Sequence, residues 1–172
     1  MTEHAANNEE DHDSGAAIRE IVVVVDDEEM VLTSINSFLS LETDYDVVTF
    51  SNPEDALEHL KDNDAHLVIS DYFMPQMDGI TFLGKVRDLR PETTRVILTG
   101  YSDKENAIKA INEVGLFQYI EKPWDNEHLR LVLRNGLEKQ QLLRTLQQKV
   151  EEINRAYSDL QGIQQDILKT FA

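Results

Sequence analysis

The stretch Ile21-Val22-Val23-Val24-Val25-Asp26-Asp27-Glu28 decides how this chain folds. Five β-branched apolar residues in a row show no alternation of apolar and polar. A strand built from them is therefore covered on both faces, as strands are in parallel sheets flanked by helices. Outward from this stretch, four more short runs read as strands: Val47–Phe50, Leu67–Ser70, Arg95–Thr99 and Phe117–Ile120. Amphipathic stretches separate them near Glu28–Leu41, Pro53–Lys61, Gly79–Leu89 and Lys104–Val114, and a last one starts at Asn126. Strict alternation of strand and helix predicts right-handed crossovers and a parallel sheet with helices on both sides.

The chain has 172 residues, room for one ordinary domain and an appendage, and 41% of them are hydrophobic, enough to fill a core. Acidic residues number 33 against 16 basic, a formal charge of -17, which speaks against direct nucleic-acid contact and against adhesion to anionic membranes. The chain lacks cysteine, which rules out disulfides and thiolate metal sites and fits a reducing compartment. No run is long and apolar enough to span a bilayer, and the acidic stretch from Met1 to Asp13 has neither the basic nor the apolar region of a secretory signal. The expectation is a cytoplasmic protein. Residues 1–18 read as a polar, disordered acidic arm, in which His4 and His12 lack any fixed geometry for a metal.

The fold class predicted is α/β, a flavodoxin-like, doubly wound, five-stranded sheet in the order 2-1-3-4-5. Its functional crevice lies at the carboxyl ends of the strands. Five polar residues fall at those ends: Asp26 and Asp27 after the first strand, Asp71 after the third, Thr99 at the fourth and Lys122 after the fifth. Neighbouring strands lie about 4.8 Å apart, so carboxylates from the first and third can meet around one small ion. Three close anions repel one another unless a hard cation joins them, and Mg2+ suits an all-oxygen site that also holds a phosphate. A carboxylate there can attack an activated phosphoryl group, with the Lys122 ammonium neutralising its oxygens. The Thr99 hydroxyl can then turn inward to a phosphoryl oxygen. Taken singly, each residue has a duller reading: Asp26 and Asp27 as helix caps, Asp71 as a turn residue, Thr99 as an ordinary strand residue, Lys122 as a solvated charge. Capping does not account for acid, acid, hydroxyl and ammonium on one edge of one sheet.

Four blocks carry a resemblance: Val22-Val23-Val24-Val25-Asp26-Asp27-Glu28, Asp71 through Gly79, Leu98-Thr99-Gly100 and Glu121-Lys122-Pro123-Trp124. Together, over about Ile21 to Leu137, the chain resembles the receiver domain of two-component response regulators. The resemblance implies Asp71 as phosphoacceptor, Asp27 as a direct Mg2+ ligand, Asp26 as a ligand through water and the Phe73 main-chain carbonyl as a third protein ligand. It likewise implies Thr99 as switch hydroxyl, Lys122 as phosphate contact and Tyr119 as the aromatic switch, a position that simple core packing also explains. It implies a frequently cis Lys122–Pro123 peptide, and influence of Phe73 and Tyr101 on phosphate lifetime. The partner it implies is a sensor histidine kinase or a histidine phosphotransfer protein. No enzymatic activity beyond self-catalysed phosphoryl acceptance and loss is expected.

Past the last predicted receiver helix, apolar residues continue at Leu143, Leu146, Val150, Ile153, Tyr157, Leu160 and Ile167 in steps of three and four, with Gln164 the one polar core position. From Glu127 to Lys169 no proline intervenes, so a continuous helix reaches about 65 Å. A stripe of that length needs a partner helix, and the organisation expected is an arm at 1–18, a receiver at 19–138 and a coiled-coil helix at 139–172 that forms a homodimer. The flanking positions carry little charge pattern to fix its direction; parallel pairing is favoured, with antiparallel left open. Gly136 and Gly162 stand as soft points, Gly136 either a junction hinge or a tolerated helix glycine. By the same resemblance, receivers with such a helix often precede an output enzyme, such as a cyclic-di-GMP phosphodiesterase or a phosphatase, so the chain is read as a fragment or as signalling through the helix itself. Three functions stay in view: a phosphorylation switch, a constitutive dimerisation module with little dependence on phosphate, and, weakest because no additional base or substrate pocket is evident, a metal-dependent phosphatase acting on other molecules.

Overall fold

The computed structural model describes residues 18–171; the acidic arm, with His4 and His12, lies almost wholly outside them. Strands β1 (Ile21–Val25), β2 (Asp46–Phe50), β3 (Leu67–Asp71), β4 (Thr94–Thr99) and β5 (Gln118–Glu121) form one parallel sheet in the order β2-β1-β3-β4-β5. Helices α1 (Glu29–Glu42), α2 (Pro53–Asp62), α3 (Gly79–Leu89), α4 (Lys104–Glu113) and α5 (Asn126–Thr170) alternate with them. This is the flavodoxin-like fold the strand pattern predicts.

Strand alternation divides the core. Val22 and Val24 face the side covered by α1 and α5, against Ile35, Leu39, Leu129 and Leu133, while Val23 and Val25 face α2, α3 and α4, against Leu60, Phe82 and Leu83. All four valines are fully buried, so the unbroken run that opens the first strand reports two covered faces. Helix starts follow local chemistry. Asn52, Asp78 and Asp125 each accept a hydrogen bond from a backbone N–H of the first turn of α2, α3 and α5. At α1 the capping alternative for the acidic pair fails, because the N-cap is Glu28 and its side chain makes no cap bond.

Gly136 is a packing position and not a junction hinge. It is buried, and a Cβ there would lie 3.0 Å from Leu67 Cδ1 and 3.0 Å from Thr94 Cγ2. Thr94 Oγ1 donates to the Gly136 carbonyl at 2.9 Å, so glycine lets α5 approach β3 and β4 closely. The helix stays on the domain beyond this point. Gln140 is buried, and Arg144 forms ion pairs with Asp64 and, at 3.4 Å, Glu92, on the loops that lead into β3 and β4. From Leu143 onward the apolar row faces solvent, with exposure rising from 41% at Leu143 to 67% at Ile153. None of the helices among the described residues is long and apolar enough to cross a membrane.

Candidate functional site

Parallel register places the site. Val25 pairs with Ser70 across β1 and β3, so the next residues, Asp26 and Asp71, come level at the carboxyl edge. Asp71 pairs with Leu98 on β4, which sets Thr99 one step beyond, and Thr99 pairs with Glu121, which sets Lys122 beyond that. Residues separated by up to 96 positions thus converge. Carboxylate oxygens of Asp26, Asp27 and Asp71 all lie within 4.8 Å of one another. Lys122 Nζ sits 2.9 Å from Asp26 Oδ2 and 3.1 Å from Asp71 Oδ1.

Burial makes this arrangement costly. Asp26 is fully buried and Asp71 7% exposed, whereas Asp27 is open to solvent. Burial pushes the Asp71 carboxyl up to about 6; the Asp26 anion adds to the rise, and Lys122 only partly offsets it. For Lys122, burial acts to lower the ammonium pKa. Its hydrogen bond and charge pairing with Asp26, then with Asp71, outweigh that, and the pKa ends above the ordinary lysine value. Asp26 spends its other oxygen on the loop, where Oδ1 accepts from the Glu28 N–H at 2.9 Å. One ammonium against three carboxylates leaves net negative charge on oxygen donors. Such a donor set fits a hard divalent cation, which takes oxygen ligands and relieves the mutual repulsion.

The remaining predicted residues surround this cluster. Thr99 is fully buried, and its hydroxyl donates to the Gly100 carbonyl at 3.1 Å. Tyr119, half-buried on β5, has the Lys104 ammonium 5.9 Å from its ring centroid. Phe73 is 73% exposed and Tyr101 86% exposed, and the Lys122–Pro123 peptide is cis. One positioning residue escaped the sequence reading, which took Gly79 only as the first residue of a helical stretch. A Cβ on Gly79 would fall 2.0 Å from the Asp71 carbonyl oxygen, and the Gly79 N–H donates to the Tyr72 carbonyl at 2.7 Å. Only glycine allows the start of α3 to lie against the backbone that carries Asp71.

The family model for the response regulator receiver domain matches residues 22–134. The chain belongs to this family. Among curated relatives it is 39% identical over 89 residues to the hydrogenase transcriptional regulatory protein HoxA of Bradyrhizobium diazoefficiens, a match covering 52% of this chain and 18% of the relative. It is 30% identical over 139 residues to the response regulator Rre1 of Synechocystis, covering 80% of this chain and 60% of that one. Among solved structures, the signal receiver domain of an HD domain-containing protein from Pseudomonas fluorescens shares 38% identity at a TM-score of 0.67, over 72% of this chain and 98% of that chain. The receiver's match spans about a fifth of the length of the HoxA-type relatives.

Proposed function

We propose that this receiver accepts a phosphoryl group on Asp71 with Mg2+ and passes the change through α5, paired with a second copy, to an output domain or partner. The observation that carries the reading is the buried pair Asp26 and Asp71 bridged by Lys122 Nζ at 2.9 and 3.1 Å, with the exposed Asp27 completing the acidic group. Asp26, Asp27, Asp71 and the Phe73 carbonyl are the residues assigned to the metal, Asp26 through water. When bound, the ion neutralises phosphoryl oxygens that would otherwise repel the attacking carboxylate. An Asp71 oxygen forms the new bond to phosphorus as the donor's bond to it breaks, leaving an acyl phosphate. Lys122 then trades its contact with Asp71 for one with the phosphoryl group. Thr99 exchanges its weak bond to the Gly100 carbonyl for a charge-assisted bond to a phosphoryl oxygen, which draws on the loop after β4, and Tyr119 follows inward.

On this reading the partner is a sensor histidine kinase or histidine phosphotransfer protein, the location is the cytoplasm, and neither nucleic acid nor membrane is contacted directly. The organisation proposed remains an arm at 1–18, a receiver at 19–138 and a coiled-coil helix at 139–172. Incubation with Mg2+ and acetyl phosphate, followed by intact mass, tests the reading. One added phosphate is expected on the wild type and none on Asp71→Ala. No addition to the wild type, or equal addition to the variant, rejects it. The alternative, a static dimerisation module, predicts identical sedimentation with and without beryllofluoride.

A further inference from the structure

We propose that Lys104 is a positioning residue for the switch, tethering the start of α4 to β5 and holding the Tyr119 ring in its present place. Phosphorylation must then break its contacts, and Lys104 sets how readily the chain switches. This rests on the phosphoacceptor reading above and adds the residue that governs its set point.

The segment between Thr99 and α4 is lightly held. Tyr101–Asp103 form a 3-10 turn, closed by the Asp103 N–H donating to the Gly100 carbonyl at 3.2 Å. Asp103, the N-cap of α4, makes no side-chain cap bond, so the first turn of that helix lacks the tie that Asn52, Asp78 and Asp125 give to α2, α3 and α5. The residues that α4 buries are Ala107 and Ala110, whose small side chains bring little apolar area to the sheet. Elements held by so little are the ones that open and move. An ion pair makes good part of the deficit: Lys104 Nζ lies 3.6 Å from Glu121 Oε2, at the end of β5.

Tyr119 and Glu121 are two residues apart on β5 and so face the same side of the sheet. The one ammonium therefore meets both, resting 5.9 Å from the centroid of the Tyr119 ring. Thr99 pairs with Glu121 across β4 and β5, so the tether joins the two strand ends that carry the switch hydroxyl and lead to Lys122. Both contacts last only while the start of α4 and the ring keep their places. The switch moves both, because Thr99 draws on the loop that leads to Lys104 and Tyr119 turns inward. Each contact thus favours the unphosphorylated arrangement, and by linkage its removal favours the phosphorylated one. A partly exposed ion pair and a partly exposed cation–ring contact are each weak, so the set point shifts by roughly two- to tenfold. Arginine keeps the charge and stacks on aromatic faces, and should stand in for Lys104; methionine keeps the length without the charge.

The test is titration of the full-length chain with beryllofluoride in excess Mg2+, with fluorine NMR reading the bound anion directly. Lys104→Met should bind roughly two- to tenfold more tightly than wild type, and Lys104→Arg within about twofold of wild type. In a Tyr119→Leu background the advantage of Lys104→Met should shrink, since only the Glu121 contact is left to lose. Equal or weaker binding by Lys104→Met, or a gain shared by Lys104→Arg, overturns the proposal. An undiminished advantage in the Tyr119→Leu background overturns the part given to the ring. If wild type and all variants fail to bind beryllofluoride, the phosphoacceptor reading falls and this inference falls with it.

Discussion

Replacing Asp71 with asparagine should make the metal-free protein more stable, although it removes the residue on which the proposed chemistry depends. Burial pushes the Asp71 carboxyl up to about 6 in the folded chain, against 3.8 for an unburied aspartate. Folding therefore favours its protonated form, and the unfolded state holds fewer protons on this group between those two values. The sign follows: stability from this group falls as pH rises from about 3.8, and the full penalty is present above about 6. A difference of about 2 pKa units corresponds to about 3 kcal/mol at pH 7.5 and about 1 kcal/mol at pH 4.5. Asparagine has nearly the same shape and never ionises, and Lys122 keeps Asp26 at 2.9 Å. Urea unfolding of wild type and Asp71→Asn in EDTA at the two pH values measures the gap directly. At pH 7.5 the variant should also melt roughly 10 °C higher. Equal stability at pH 7.5, a less stable variant, or a gap that does not shrink towards pH 4.5 would refute the argument that burial beside Asp26 governs this carboxylate.

Four further outcomes are expected. Mg2+ should raise the wild-type melting temperature, by an amount corresponding to about 2.7 kcal/mol at one hundred times Kd, and should do so far less in Asp27→Asn, as read by thermal titration. Gly79→Ala should cost about 3 kcal/mol or more, because its Cβ would meet backbone of Asp71 at 2.0 Å; circular dichroism during urea unfolding checks it. Gly136→Ala should lose about 1 kcal/mol, the clash at 3.0 Å with Leu67 and Thr94 exceeding the gain in helix propensity; a stabilised variant in the same assay would restore the hinge. Arg144→Ala should change global stability by less than about 1 kcal/mol, since its ion pairs with Asp64 and Glu92 are partly exposed; faster amide exchange confined to α5 near Gln140 is the expected signature.

Local chemistry made the elements readable. β-branched runs marked β1 and β3, and the start of α3 at Gly79 follows from Asp78, whose carboxylate accepts from the Thr81 N–H at 2.8 Å. Even the carboxyl-edge residues could be grouped, because every strand of a parallel sheet ends on the same edge. What was not readable involved pairings between distant residues. Arg144 looks like any exposed helix charge until the loops before β3 and β4 bring Asp64 and Glu92 to it. Gly136 looks like a weak point in a helix until Leu67 and Thr94 are found against it.

The sequence by itself determined which segments become strands and helices, the order of the sheet and the membership of the acidic cluster. Periodicity and strand ends are local properties, and parallel topology converts them into position. Tertiary structure alone decided the energetics: that Asp26 and Asp71 are buried while Asp27 is not, that one ammonium bridges the buried two, and that the apolar row of α5 turns to solvent at Leu143. Burial and charge pairing depend on what the rest of the chain places nearby in space, and no window of sequence contains that.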